Sequence, residues 1–144
     1  MKEAMAGQRF RHMKPWEKEQ ARLFVEGGPL KGQWAFGVPL ESDASRKVAE
    51  RDPSADFWTR YSWMLKIDAV CTAEDKVWIV EFEMRARYSS LAQLLLYRGM
   101  YMEQYAPTQP VDMMLVYARP SPDLLRLLDR QGIKSFHQPV KGLV

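Results

Sequence analysis

Two apolar-rich runs, Tyr61 to Thr72 and Lys76 to Met84, are separated only by the polar link Ala73-Glu74-Asp75. Such a pair reads as a β-hairpin, because antiparallel strands need only a few residues between them. No other stretch constrains the chain as much, since a turn centred between Glu74 and Asp75 sets every cross-strand neighbour. Thr72 then faces Val77, Val70 faces Ile79, Asp68 faces Glu81 and Lys66 faces Glu83. Directly opposed residues share one face of a sheet. The other face pairs Cys71 with Trp78, Ala69 with Val80, Ile67 with Phe82 and Leu65 with Met84. It is wholly apolar, and is expected to pack against helices.

The first face is apolar near the turn and acidic at the far end. Like charges directly opposed on a sheet are destabilising, so Asp68 against Glu81 calls for compensation. A divalent cation, Lys66, a guanidinium from Arg85, Arg87 or Arg98, or protonation of one carboxyl would supply it. Mg²⁺ commonly uses one or two carboxylates and keeps several waters, which makes a metal site one reading of the cluster. A solvated rim with an ordinary Lys66–Glu83 ion pair is the other.

Around the hairpin, Pro15 to Glu26 reads as a helix stopped by Gly27-Gly28-Pro29, with Pro15 in its first turn. Gln33 to Leu40, with Trp34, Phe36 and Val38 alternating with smaller residues, reads as a strand. Glu41 to Arg60 is a polar, partly helical excursion. Ser89 or Ser90 caps a helix running to about Tyr105, followed by a strand at Val111 to Ala118, a helix at Ser121 to Arg130 closed by Gly132, and a short strand at Ile133 to His137. The expected order is α-β-β-β-α-β-α-β, a central mixed β-sheet flanked by helices in an α/β fold.

At 144 residues the chain suits one domain, 1–144, with a single core. Its 47% hydrophobic and 27% charged residues are ordinary globular values. The longest apolar runs fall far short of the roughly 20 residues that cross a bilayer, and Met1 to Lys14 has no apolar stretch of signal-peptide length. A protein without a membrane partner is expected, located in the cytoplasm, or in the virion if the chain is viral. One cysteine, Cys71, and two histidines, His12 and His137, exclude a Cys/His zinc cluster, so any metal would be held by oxygen. A net charge of +3 permits a nucleic-acid partner.

Asp68, then Glu81-Phe82-Glu83 on the next strand, then Gln93-Leu-Leu-Leu-Tyr97 on the following helix resembles the PD-(D/E)XK nuclease superfamily, in its exonuclease-like branch. The similarity runs from roughly Trp16 to Val116, and the element order is similar to that family's restriction-endonuclease-like core. The resemblance implies that Asp68 and Glu81 bind Mg²⁺ or Mn²⁺ with the Phe82 carbonyl as a third ligand, and that Gln93 and Tyr97 lie beside the site. It also marks a departure, since the family's lysine position holds Glu83. Lys66, opposite Glu83 in the expected register, is the candidate for a displaced ammonium group.

Gln93, Tyr97 and Tyr101 recur every four residues and share a helix face, while Leu91, Leu94, Leu95 and Met102 supply the apolar side. Arg85, Arg87 and Arg98 are expected to flank the acidic end, either holding phosphates or balancing charge. Glu17 and Glu19 either complete a metal shell or sit on a solvated helix surface. Nine methionines read as core filler, and Trp16, Trp58 and Trp63 exceed what the sheet faces can take, so some are expected at an interface. Two functions follow. One is a divalent-metal-dependent nuclease with Asp68, Glu81, Glu83, Lys66, Gln93 and Tyr97 at its centre; the other is a catalytically silent nuclease-fold subunit of a larger assembly, such as a virus portal, neck or other virion component.

Overall fold

The structure, a computed structural model, describes residues 13–142; most of the basic N-terminal stretch therefore lies outside the described residues. Helix α1 (Pro15–Gly27) precedes β1 (Gln33–Leu40), followed by α2 (Asp43–Arg51) and α3 (Phe57–Tyr61). The hairpin is β2 (Leu65–Thr72) and β3 (Val77–Arg85), and the chain continues through α4 (Tyr88–Tyr105), β4 (Val111–Arg119), α5 (Pro122–Arg130) and β5 (Lys134–His137). The order is thus α-β-α-α-β-β-α-β-α-β. It corrects the sequence expectation by inserting two helices into the Glu41–Arg60 excursion. Each starts on a side-chain cap: Ser42 Oγ accepts from the Ser45 amide at 3.1 Å and Asp56 Oδ1 from the Thr59 amide at 2.7 Å.

The five strands form one mixed sheet in sequential order, antiparallel through β1–β2–β3 and parallel through β3–β4–β5. Parallel neighbours need a crossover, and α4 and α5 supply the two that are required. Both faces are covered. On one, Ala21, Phe24 and Val25 of α1 pack on Phe36, Ala69, Cys71, Val80, Phe82, Met114 and Val116. On the other, Leu94 and Tyr97 of α4 and Leu124 and Leu128 of α5 cover Val70, Val77, Ile79, Met113 and Leu115. Among the described residues, no helix is long and apolar enough to cross a membrane.

β1 changes phase at Gly37. Phe36 and its partner Ala69 lie in the α1 core, whereas Val38, Leu40 and Ile67 lie in the α4 core, so strict alternation is broken between them. Gly37 has φ 59, a left-handed conformation that costs glycine little. Its partner position is Asp68, where the β1–β2 pairing lapses and then resumes at Val38–Ile67. The expectation that Trp34, Phe36 and Val38 share one face, and that Ile67 shares a face with Phe82, is corrected accordingly.

Candidate functional site: a carboxyl pair at a fork in the sheet

The hairpin register near the turn is the expected one: Thr72 pairs with Val77, Cys71 with Trp78, Val70 with Ile79 and Ala69 with Val80. There it stops. β2 continues alongside β1 to Leu65, and β3 continues alongside β4 to Arg85, so the two strands part beyond Ala69–Val80. Asp68 and Glu81 stand at that fork. Asp68 Oδ2 accepts a buried 2.9 Å hydrogen bond from the Phe82 amide, which bridges the gap that a strand pair would otherwise close.

Glu81 is only 3% exposed and Asp68 9%. Burial pushes the Glu81 carboxyl well above its ordinary range; the Asp68 charge, a hydrogen bond to the Asp68 carboxyl and the Glu83 charge all add to the rise. That rise favours the protonated form of Glu81, which relieves its repulsion with Asp68. Even so, Glu81 Oε1 is buried without a hydrogen-bond partner, an arrangement that costs on the order of 1–3 kcal/mol for a neutral group. Glu83, half-buried beside them, is pushed up to about 7 by burial, then by Asp68 and Glu17, with Arg87 and Lys14 opposing.

From α4, Gln93 Nε2 donates to Tyr97 Oη at 2.9 Å. Burial raises the Tyr97 hydroxyl, the Gln93 bond opposes that rise, and the charges of Glu81 and Asp68 add to it, which puts this pair within electrostatic reach of the acids. Ser90 sits three residues into the helix with its Oγ accepting from the Arg87 amide at 3.3 Å, so the cap position belongs to Arg87 and neither Ser89 nor Ser90 fills it.

Two expected neighbours are elsewhere. Lys66 does not face Glu83: its Nζ donates to the Met64 carbonyl at 3.1 Å and lies 4.6 Å from the Tyr61 ring centroid, where burial lowers its pKa. The cause is the fork, which carries Lys66 away with β1, opposite Pro39. Arg98 Nε holds the Val111 carbonyl at 2.8 Å, and Val111 pairs with Val77 at the opposite end of β3 from Glu83. Of the three arginines, Arg87 acts on Glu83 directly, and Arg85 is exposed at the end of β3. Glu17 also acts on Glu83, while Glu19 is engaged by Arg22 on the surface of α1.

Gln20 was missed. It is fully buried on α1, and its Nε2 donates to the Glu83 carbonyl at 3.0 Å and to the Gln138 carbonyl at 3.4 Å, tying α1 and the segment after β5 to the acidic strand. Its position four residues before Phe24, on the inward side of an amphipathic helix, was the available signal. Among the described residues, no group of three or more His, Cys, Asp or Glu side chains is arranged to hold a metal ion. No family model, no curated protein and no solved structure matches the chain. The fold and site define an α/β domain with a buried carboxyl pair where its sheet divides.

Proposed function

We propose that this domain is a PD-(D/E)XK-type nuclease, with a restriction-endonuclease-like core, that uses one divalent cation between Asp68 and Glu81 to hydrolyse nucleic-acid phosphodiesters. The observation that carries the reading is Glu81 Oε1, buried beside a second carboxyl and without a partner. A cation placed there would take the place of a proton on Glu81 and satisfy the orphaned oxygen. Two carboxylates with water and the Phe82 carbonyl suit Mg²⁺ or Mn²⁺, which do not require a cage made wholly of side chains. Such an ion supplies charge neutralisation at the phosphate and a lowered pKa for coordinated water.

The chain's own groups have separable tasks in this reading. Glu83, titrating near neutrality, accepts a proton at its carboxylate. Arg87, with Arg85 beside it, holds phosphate oxygens at the open end of the fork. The Gln93–Tyr97 pair orients the substrate from the α4 side.

A second reading, a catalytically silent nuclease-fold subunit of a larger assembly such as a virion, is favoured by a different observation. With Glu83 at the lysine position and Lys66 bonded to Met64, no lysine observed here meets the carboxyl pair from β2 or β3. Calorimetric titration with Mn²⁺ separates the readings. The nuclease reading expects one site in the wild type, none in Asp68→Ala, and cleavage of single- or double-stranded DNA or RNA that Glu81→Gln abolishes. Absence of Mn²⁺ binding in the wild type refutes it, and binding without cleavage of any of these substrates favours the silent subunit.

A further inference from the structure

Helix α4 is apolar on the side that faces away from the sheet. Leu95 and Met102, expected on its buried side, are exposed together with Tyr88 and Leu96, and Leu96 shows 53% of its surface. From Tyr88 to Met102 the only charged side chain is Arg98, which is turned onto the Val111 carbonyl. A surface helix ordinarily presents charged residues outward, and one that is apolar all round is ordinarily covered.

The exposed side chains have a period. Tyr88, Leu95 and Met102 recur every seven residues, and the small residues Ala92 and Gly99 fall between them with the same spacing. The resulting alternation of four and three residues is the seam of a helix that packs lengthwise on another helix. A Cβ built at Gly99 meets nothing within 4 Å, so the notch there is open to an incoming side chain or helix backbone.

We infer that the outer face of α4 is a homodimer interface, on which a second copy of this chain lays its own α4 antiparallel about a two-fold axis between Leu95 and Leu96. Opposed positions in this arrangement sum to 191, which makes the pairing symmetric about the axis. Leu95 meets Leu96 of the other copy at the axis, and Ala92 meets Gly99, two small residues that let the helix backbones approach closely. Charge complementarity selects the same orientation. Arg85 and Arg87 are exposed at the N-terminal end of α4 and Glu103 at its C-terminal end, where Glu103 has no ion-pair partner among the described residues. Antiparallel pairing sets each Glu103 opposite Tyr88 and next to the basic end of the other copy, whereas parallel pairing stacks like charges at both ends. The inference shares Arg85 and Arg87 with the nuclease reading but none of its metal ligands, and the Gln93–Tyr97 pair occupies the inner side of the helix.

Analytical ultracentrifugation of the full chain over a concentration series tests it. The expected result is a mass that doubles with concentration. Leu96→Glu weakens self-association at least about tenfold by setting two buried carboxylates against each other across the axis, and Gly99→Leu does so by filling the notch. Both sites are exposed in the single chain, so far-ultraviolet circular dichroism should be unchanged. Arg87→Glu weakens the dimer, and adding Glu103→Lys restores it. A monomer at every concentration overturns the inference, as does a dimer that tolerates both Leu96→Glu and Gly99→Leu.

Discussion

Replacing Glu83 with glutamine should change how stability depends on pH. Glu83 is held near 7 in the folded chain against an ordinary 4.5, with burial the largest cause and the charges of Asp68 and Glu17 next. Raising a carboxyl over that interval corresponds to about 3.5 kcal/mol at roughly 1.4 kcal/mol per pKa unit. Because the group is only half-buried, solvent screening reduces this to about 1.5 kcal/mol. The sign follows from proton counting. Between pH 4.5 and about 7 the folded chain holds a proton that the unfolded chain has released, so stability is fully present below 4.5 and is lost as pH rises through 7. Glu83→Gln removes that dependence, leaving stability unchanged at pH 4 and raising it by about 1.5 kcal/mol at pH 8, or about 5 °C in melting temperature for a domain of this size. Thermal unfolding followed by circular dichroism at both values, wild type beside variant, measures it. Equal losses between pH 4 and pH 8 in the two proteins would refute the assigned environment of Glu83.

Other substitutions probe the frame that holds the site. Gln20→Leu strips the Glu83 and Gln138 carbonyls of their buried donor and should cost about 1–3 kcal/mol in urea unfolding. Gly32→Ala places a Cβ against the Thr72 carbonyl of the neighbouring strand and should destabilise by about 1–3 kcal/mol, whereas Gly99→Ala, facing open space, should not destabilise the monomer. Leu94→Ala, which hollows the core beneath α4, should cost about 2–5 kcal/mol in the same assay.

The part of the hairpin legible in the sequence was the part governed by its own turn. A short link sets the register of its nearest pairs, and Thr72–Val77 through Ala69–Val80 follow it. Beyond them the register depends on β1 and β4, distant in sequence, and their pairing draws β2 and β3 apart. That competition separated Lys66 from Glu83 and could not be read from the hairpin alone. The phase change in β1 had a visible marker in Gly37, since a glycine within a strand often signals a break in the pleat. The two helices of the excursion carried cap residues, Ser42 and Asp56, but little apolar periodicity, because α2 buries only Ser45 and α3 buries nothing fully. On α4 the seven-residue spacing was present in the sequence; what periodicity alone could not decide was which of two apolar sides meets the sheet.

The Phe82 amide is suspended from a carboxylate where a strand neighbour would ordinarily hold it. Its protection from solvent exchange therefore depends on what Asp68 is doing. Anything that draws the Asp68 carboxylate towards another ligand lengthens this one bond while leaving the amides on either side of the fork tied into their ladders. A single peptide proton, followed by nuclear magnetic resonance, thus reports the state of the Asp68 carboxylate at the division of the sheet.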